Sequence, residues 1–489
     1  MLKRALLALL ALVLVLAAIV AVNTWRQAPK KVDLADAPLL AVDAGAAASS
    51  LAVAVRARTV SSAFENEVDN AQFEALHAHL RSRYPLVHGQ LQREVVGRHS
   101  LLFTWRGSDA AAKAIALMAH QDVVPISPGT ESQWQQPPWS GTVEGGFVWG
   151  RGAWDDKGNL IAELEAVEAL LAAGFKPRRT VYLVFGEDEE VGGERGAKRI
   201  AALLKERGVK LDFAIDEGML VVEGLVPGLA KPAALIGVAE KGSASVLLAV
   251  QAAGGHSSMP PAAGESAIGI ISAALKKIDE HPMPGAVGGV AGDMFDALAP
   301  EMSLVNRVAL SNRWLFGPLL ARLLERSPST NASLRTTTAL TVVHSGNREN
   351  VLPGRAEATV NFRLLPGDTG ETVLARVREV VADPRVELKI GPGAFDPSPV
   401  SARDSSAYKA IARSVHDVFP NTVVAPALML GATDGRYMAG VADNVYRFSP
   451  IRAGPQDLAR FHGTNERISV ANLVEMIRFY HRLIQQAAA

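Results

Sequence analysis

Three short blocks between Leu117 and Gly193 constrain this 489-residue chain more than any other feature. They read LMAHQD, VWGRGAWDDKG and VFGEDEEVGG, and in each block an apolar run gives way to glycine and to charged residues or histidine. Runs of this kind are typical of buried strands, so the polar residues are expected at the strand ends. Two later fragments, AIDEG and FHGTNERI, are expected to bring further carboxylates and a histidine to the same place.

Strand and helix patterns alternate through this part of the chain. Strands are predicted at Ala114–Ala119, Thr180–Phe185 and Leu211–Ile215. Helical spacing of apolar residues separates these strands, which predicts an α/β fold with a mainly parallel sheet. In such sheets ligands bind outside the carboxyl ends of the strands, and His120, Glu190 and Asp216 fall at these ends.

The pattern changes near Glu240, where strands and helices predict a smaller α+β domain inserted into the first. The predicted organisation is an N-terminal anchor or signal (1–31), a stalk (32–63), a first domain in two parts (64–240 and 399–489) and an inserted domain (241–398). The segment Asp293–Thr336 contains WLFGPLLARLLERSP and is more apolar than a small domain needs. The favoured interpretation is an extra packed helix or a dimer contact, and the alternative is a wall for an apolar substrate tail or a second membrane contact.

The N-terminus predicts a membrane segment. Lys3 and Arg4 precede an uncharged apolar run from Ala5 to Val22, which is just long enough to cross a bilayer, since a spanning helix needs about 20 residues. We expect an uncleaved single-pass anchor with the rest of the chain outside the cytoplasm, in the periplasm if the organism is bacterial. The alternative is a signal peptide, which is removed and leaves a secreted protein.

Composition excludes several classes of site. Fifty basic residues balance fifty acidic ones, so no global field favours nucleic acid. The chain has no cysteine, which excludes disulfides, thiolate metal sites and cysteine nucleophiles. Any transition-metal site must therefore use His, Asp and Glu.

Each polar block alone has an ordinary explanation, as a strand-end cap, a solvated turn or an exposed acidic loop. Together, two histidines and several carboxylates fit zinc with nitrogen and oxygen ligands. A carboxylate can bridge two metals, which polarise a carbonyl and make water reactive, and a nearby glutamate can serve as general base.

The order of HxD, GRGxxDxKG, DEE, D and a late H resembles the co-catalytic di-zinc metallopeptidase family of glutamate carboxypeptidase, aminoacylase and succinyl-diaminopimelate desuccinylase. The resemblance runs from about Phe64 to the C-terminus. QWQQPPWSG, GGHSSMPP and SPSTNASLRTTTALT are most similar to the carboxypeptidase S branch, which includes N-fatty-acyl-amino-acid hydrolases. For the inserted domain the resemblance implies a lid or a dimerisation unit, and hence a possible homodimer.

The resemblance also implies a role for each matching residue. His120, Asp155 and Asp216 would hold one zinc ion, and Asp155, Glu190 and His462 the other, so that Asp155 bridges two Zn²⁺. Glu189 would be the general base and then the acid, with Asp122 orienting His120. A cis peptide is expected between Asp155 and Asp156.

Three further residues match family positions in the inserted domain. His256 matches a histidine that in dimeric relatives stabilises the oxyanion in the partner's site; the alternative is an ordinary turn or core histidine. Asn350 and Arg363 match positions that bind the terminal carboxylate of the substrate, a role for which the planar guanidinium is suited. The alternative for Arg363 is a surface strand residue.

The predicted function is hydrolysis of an amide bond next to a free carboxylate, by a carboxypeptidase or an N-acyl-amino-acid hydrolase. A di- or tripeptide aminopeptidase and a non-catalytic membrane-tethered binding protein are the alternatives. The acyl or side-chain preference, the direction of the reaction and the identity of the native metal stay open.

Overall fold

The computed structural model of the protein describes residues 2–28 and 38–489. Within them the helices are α1 (Leu2–Arg26), α2 (Ala44–Arg56), α3 (Asn70–Arg83), α4 (Pro85–Gln90), α5 (Lys157–Ala172), α6 (Ala197–Glu206), α7 (Ala267–Glu280), α8 (Gly289–Leu298), α9 (Leu304–Ser311), α10 (Arg313–Leu324), α11 (Pro328–Leu334), α12 (Gly370–Val381), α13 (Ser406–Val418) and α14 (Val470–Ala488). The strands are β1 (Gln92–Val96), β2 (Ser100–Trp105), β3 (Ala114–His120), β4 (Thr142–Glu144), β5 (Phe147–Trp149), β6 (Val181–Gly186), β7 (Leu211–Val222), β8 (Ala233–Glu240), β9 (Gly242–Gln251), β10 (Gly255–His256), β11 (Thr337–Ser345), β12 (Val351–Leu352), β13 (Arg355–Leu364), β14 (Val386–Ile390), β15 (Val423–Met429), β16 (Ala442–Ala453) and β17 (Arg467–Ser469).

The main sheet has eight strands in the order β1-β2-β6-β3-β7-β16-β8-β15. The four central strands β6, β3, β7 and β16 run parallel to one another, whereas β1 and β2 are antiparallel additions at one edge. This arrangement confirms the predicted α/β fold with a mainly parallel sheet. Because β3, β6 and β7 run in the same direction, their carboxyl ends lie at one edge, where the polar blocks begin.

Helices cover both faces of this sheet. On one face α2, α5 and α14 contribute Leu51, Leu160 and Leu473 to the largest apolar core. On the other face α6 contributes Ile200 and Leu204 to a smaller core. All seven residues of β3 are buried, as expected for a strand covered on both sides.

A second unit is built on a four-stranded antiparallel sheet in the order β11-β13-β9-β14. Side chains along β9 alternate between buried and half-buried positions, so one face meets α7 and α12 and the other does not. Its apolar core, from Ala244 to Val386, contains residues of this unit alone. This agrees with the predicted inserted α+β domain, whose boundaries at 241 and 398 stay a prediction.

The interpretation of residues 32–63 as a stalk is wrong where the structure tests it, and its first residues, 32–37, lie outside the described residues. Helix α2 begins after Asp43, whose carboxylate accepts a hydrogen bond from the Ala46 amide at 3.0 Å. Seven of its residues are buried, and six of these belong to the main apolar core. Alanine favours helix and its small side chain permits close packing, so an alanine-rich composition does not identify a linker here.

The segment Asp293–Thr336 forms four helical pieces, α8 to α11. Helix α8 lies against β15 and is partly buried, whereas α10 has no buried residue.

Within the described part of the chain, α1 is the helix that is long and apolar enough to cross a membrane. Its last turns are hydrogen-bonded to α8, α9 and the residue after α9.

Candidate active site

The carboxylate of Asp155 lies between two histidines that are far apart in sequence. Its Oδ1 is 3.0 Å from His120 Nε2 and its Oδ2 is 2.8 Å from His462 Nε2. His120 ends β3, and His462 lies in the loop before β17 with a positive φ of 56°. Asp155 follows the glycine-rich loop and is joined to Asp156 by a cis peptide, as the resemblance implies. The structure therefore brings His120, Asp155 and His462 together around one carboxylate.

The ring of His120 is fixed on both sides. Its Nδ1 is 2.9 Å from the backbone carbonyl of Asp122 and 3.4 Å from the Asp122 carboxylate. The His120 amide donates to Asp156 Oδ2 at 3.2 Å. With Nδ1 directed at Asp122, Nε2 faces Asp155, which is the usual arrangement behind a metal-binding imidazole.

The acidic run after β6 divides into two pairs with different surroundings. Glu187 accepts hydrogen bonds from the amides of Arg98 and His99, and Asp188 accepts from the amides of Arg195 and Gly196. These two carboxylates therefore hold loops in place.

Glu189 and Glu190 face the site instead. Their amides donate to the two oxygens of Asp122, each at 3.1 Å. Glu190 Oε2 is 3.3 Å from His462 Nε2, while its Oε1 is buried without a hydrogen-bond partner. Asp122 thus positions this turn as well as His120, which the sequence did not indicate.

Two neighbouring acids, Asp216 and Glu217, lie in the middle of β7, which continues to Val222 beyond the end predicted at Ile215. Asp216 accepts a hydrogen bond from the Gly435 amide at 2.5 Å, so that its carboxylate is held by the 431–436 loop. The next residue, Glu217, has Oε1 at 3.5 Å from His120 Nε2. The pairing of β7 with β16 is irregular at this point, with Arg447 opposite Asp216 and Phe448 opposite Met219. His120, Asp156 and Glu217 form one group with metal-ligand spacing, and His120, Asp155 and Glu190 form another.

A buried ion pair joins the two loops that carry Asp155 and His462. Glu466 Oε1 accepts from the amides of Gly152, Trp154 and Asp155 at 2.9–3.1 Å, and Oε2 lies 2.5 Å from Arg151. Arg151 also donates to the carbonyl of His462 at 3.0 Å. Motif reading missed this pair because its members are more than 300 positions apart; the one available signal was a charged residue in each motif, GRG and NER.

The charges of the cluster are strongly coupled. Burial opposes ionisation of Asp155, but hydrogen bonds from His120 and His462 outweigh it and lower its pKa. Hydrogen bonds to Asp155 and Glu190 raise the pKa of His462 to about 10. Burial and the charge of Glu217 raise the pKa of Glu189 well above its usual value. Negative charge is therefore in excess here, and a bound cation would relieve it.

The three predicted residues of the second unit lie elsewhere. His256, Asn350 and Arg363 are exposed. His256 pairs with Val351 across β10 and β12, and the Ser257 amide donates to the carbonyl of Asn350, so the first two are neighbours. Within residues 2–28 and 38–489, no hydrogen bond or ion pair connects the three side chains to the cluster around Asp155.

Comparisons with known proteins identify the family. Residues 116–486 match the model of peptidase family M20/M25/M40. The chain is 42% identical over 438 residues to the N-fatty-acyl-amino acid synthase/hydrolase PM20D1 of Xenopus tropicalis, covering 89% of this chain and 84% of the relative. It is 38% identical to the probable carboxypeptidase S-like 2 of Dictyostelium discoideum, covering 90% of this chain and 84% of the relative.

Among solved structures, the M20 family metallo-carboxypeptidase Sso-CP2 of Sulfolobus solfataricus superposes with a TM-score of 0.62 at 18% identity, covering 90% of this chain and 98% of that one. This likeness supports the fold. The family match spans well over half of the chain, and the suspected carboxypeptidase S and N-fatty-acyl-amino-acid hydrolase branch is confirmed by the relatives. The chain belongs to peptidase family M20/M25/M40, a family of metal-dependent amide-bond hydrolases.

Proposed function

We propose that the protein is a two-zinc hydrolase that cleaves the amide bond next to a free carboxylate. The observation that carries this proposal is the contact of the two oxygens of Asp155 with His120 and His462, the arrangement expected of a carboxylate that bridges two metals. The donor set fits zinc, because it offers imidazole nitrogen and carboxylate oxygen and the chain has no thiolate. The buried, unpartnered Oε1 of Glu190 is a further ligand atom at this place.

We assign Asp155, Glu190 and His462 to one zinc ion, and His120, Asp155 and Glu217 to the other. Glu217 replaces Asp216 in this assignment, since its carboxylate approaches His120 whereas that of Asp216 is held by Gly435. When bound, two zinc ions polarise the scissile carbonyl and lower the pKa of a water molecule toward neutrality.

The residues of the chain supply the proton transfers. Glu189 accepts the proton of the attacking water and delivers it to the leaving nitrogen, so one carboxylate serves both halves of the reaction. A raised pKa, caused by burial and by Glu217, makes the carboxylate of Glu189 a stronger base toward the proton of the water. The hydrogen bonds from the amides of residues 189 and 190 to Asp122 hold this turn in place.

The proposed substrates share a carboxylate next to the amide. Both N-fatty-acyl amino acids and the C-terminal residues of peptides have this group, which is common to the activities in the names of the relatives. Arg363 and Asn350 are proposed to bind this carboxylate, and His256 to stabilise the oxyanion. Since all three are exposed and separate from the cluster, they would act by closure of the second unit or from a partner subunit.

The experiment is a rate measurement on matched substrates. N-acyl amino acids of graded chain length and ordinary dipeptides are compared with the same compounds amidated at the carboxyl group, with added zinc and with chelator. We expect zinc-dependent turnover of the free acids, and at least tenfold slower turnover of the amides because a charge-assisted hydrogen bond contributes about 1.5–3 kcal/mol.

The Arg363→Lys variant should lose most of this discrimination, because lysine keeps the charge without the planar fork. Arg376→Lys, a similar change at another partly exposed arginine of the second unit, serves as the control. Equal rates on acids and amides would contradict the proposal and favour an aminopeptidase. Chelator-resistant turnover would contradict the metal-dependent mechanism.

A further inference from the structure

We propose that an exposed apolar face on α9 and α10 rests on the lipid bilayer, beside the point where α1 enters it. This proposal rests on the membrane anchor that the sequence predicts at α1 and deepens it, because it fixes how the catalytic unit is held. The face, called here the α9–α10 face, consists of Leu304, Val305, Trp314, Leu315, Leu319 and Leu323.

The end of α1 is bonded to these helices. Asn23 Nδ2 donates to Asn312 Oδ1 at 3.0 Å, and Asn312 Nδ2 contacts the Thr24 hydroxyl at 3.3 Å. Asn312 links α9 to α10 and is fully buried. Gln27 donates to Asp296 of α8 at 3.1 Å and accepts from Ser311 at 3.4 Å. These polar contacts join the last turns of α1 to the α8–α10 segment.

The composition of α1 places this junction at the membrane surface. From Ala5 to Val22 the helix is uncharged and apolar, and none of its most apolar stretch is buried in the protein. A helix of about 20 residues spans the hydrocarbon layer, so Asn23 and the residues after it reach the headgroup level. Trp25, which is 77% exposed, and Arg26 are residue types typical of that level.

The α9–α10 face lies next to this junction and has no cover within the described chain. Its exposed fractions range from 44% at Leu315 to 78% at Val305. Leu315, Leu319 and Leu323 are four residues apart and form one stripe of α10, with Trp314 beside them. Exposed apolar area of this kind marks an interaction surface.

A bilayer is the occupant that fits. The face is continuous with a helix that is itself proposed to lie in lipid, and a protein partner on it would have to occupy the headgroup layer. The exposed Arg322 and Arg326 near the end of α10 add positive charge that suits anionic headgroups. The apolar segment Asp293–Thr336, left open by the sequence, is then a second membrane contact. A catalytic unit held in this way meets substrates with apolar tails where they partition.

The test uses the full-length protein in vesicles of phosphatidylcholine and phosphatidylglycerol. The chain has no cysteine, so Leu319→Cys and Lys276→Cys each give one labelling site. Lys276 is the control, since its side chain is 74% exposed on α7 of the second unit. An environment-sensitive fluorophore on each site is read with and without lipids that carry a nitroxide quencher near the headgroup. A Leu315→Cys protein repeats the measurement at a second position of the stripe, in case one variant fails to fold.

We expect a blue-shifted emission at 319 and at 315, with quenching several-fold stronger than at 276. Quenching at both stripe positions no stronger than at 276 would overturn the proposal. So would a blue shift without lipid quenching, which would indicate cover by a second copy or another protein. Zinc-dependent hydrolysis of a short soluble substrate is measured on the same samples. Loss of hydrolysis with intact quenching counts against the proposed function alone. Intact hydrolysis without quenching at 315 and 319 counts against membrane docking alone.

Discussion

Two sets of predicted site residues differ sharply in their surroundings. Those at the strand ends of the main sheet are mostly buried and bonded to one another around Asp155. Those of the second unit, His256, Asn350 and Arg363, are exposed and bonded to none of that cluster. The groups proposed to hold metal and move protons are therefore assembled within one domain. The groups proposed to bind substrate must be brought to them by closure or by a second copy.

The largest effect is expected inside the buried set. Glu189→Gln keeps the shape of the side chain but removes the base, so kcat should fall about 10²–10⁴-fold while zinc content is unchanged. The rate is measured on an N-acyl amino acid, with zinc determined on the same sample. Glu194→Gln, the same change at an exposed position of the loop, should leave the rate within twofold or so. Near-normal turnover of the Glu189 variant would remove it from the mechanism.

Next comes the ion pair that holds the buried set together. Glu466→Gln leaves the buried guanidinium of Arg151 without its countercharge, and breaking such a pair destabilises a protein by about 3–5 kcal/mol. The measurement is urea unfolding of the zinc-loaded protein. Glu475→Gln is the matched control, because its partner Arg452 is partly exposed, and less than about 1 kcal/mol is expected there. Equal losses of unfolding free energy in the Glu466 and Glu475 variants would show that Arg151 and Glu466 do not organise the site.

The exposed set is tested by subunit mixing. Removing an oxyanion donor costs about 10²–10³-fold in kcat, which is the loss expected for His256→Ala alone. If His256 serves the partner's site, mixing this variant with Glu189→Gln should restore about a quarter of the wild-type rate, since about half of random dimers have one working site of two. The rate of hydrolysis is measured after the subunits have exchanged, with each variant alone as control. Absence of any recovery would place His256 in its own chain's site.

The smallest effect distinguishes the two neighbouring acids in the middle of β7. Asp216→Asn should weaken zinc binding about 10–100-fold, the range for groups that act behind the ligands. Glu217→Gln should weaken it further, since it removes a proposed ligand. Competition with a chromophoric chelator measures both. The opposite order would restore Asp216 to the metal and leave Glu217 as a positioning group.

Local patterns predicted the strands that end in polar blocks, because these are short apolar runs with β-branched residues. The predictions Ala114–Ala119 and Thr180–Phe185 agree with β3 and β6 to within one residue at each end. They did not predict β16, a central strand. Its buried Arg447 pairs with Glu240 across more than 200 positions, and its Pro450 is unusual in a strand. A charged residue such as Arg447 favours the prediction of a loop unless its buried partner is known.

The candidate site divides in the same way. Residue types and motif order indicated His120, Asp155, Glu190 and His462, which the structure brings together. The choice between Asp216 and Glu217 depends on the irregular pairing of β7 with β16 at this point, for which AIDEG gives no local signal. The position of the exposed set depends on how two units meet, for which a single chain has no local signal.

The most direct measurement of the central claim is zinc-edge anomalous diffraction from crystals of the full chain. We expect two peaks, each about 2.0–2.2 Å from one carboxylate oxygen of Asp155, with His120 at one peak and His462 at the other. A single peak, or peaks that share no carboxylate, would contradict the claim that both histidines serve a metal pair joined by Asp155.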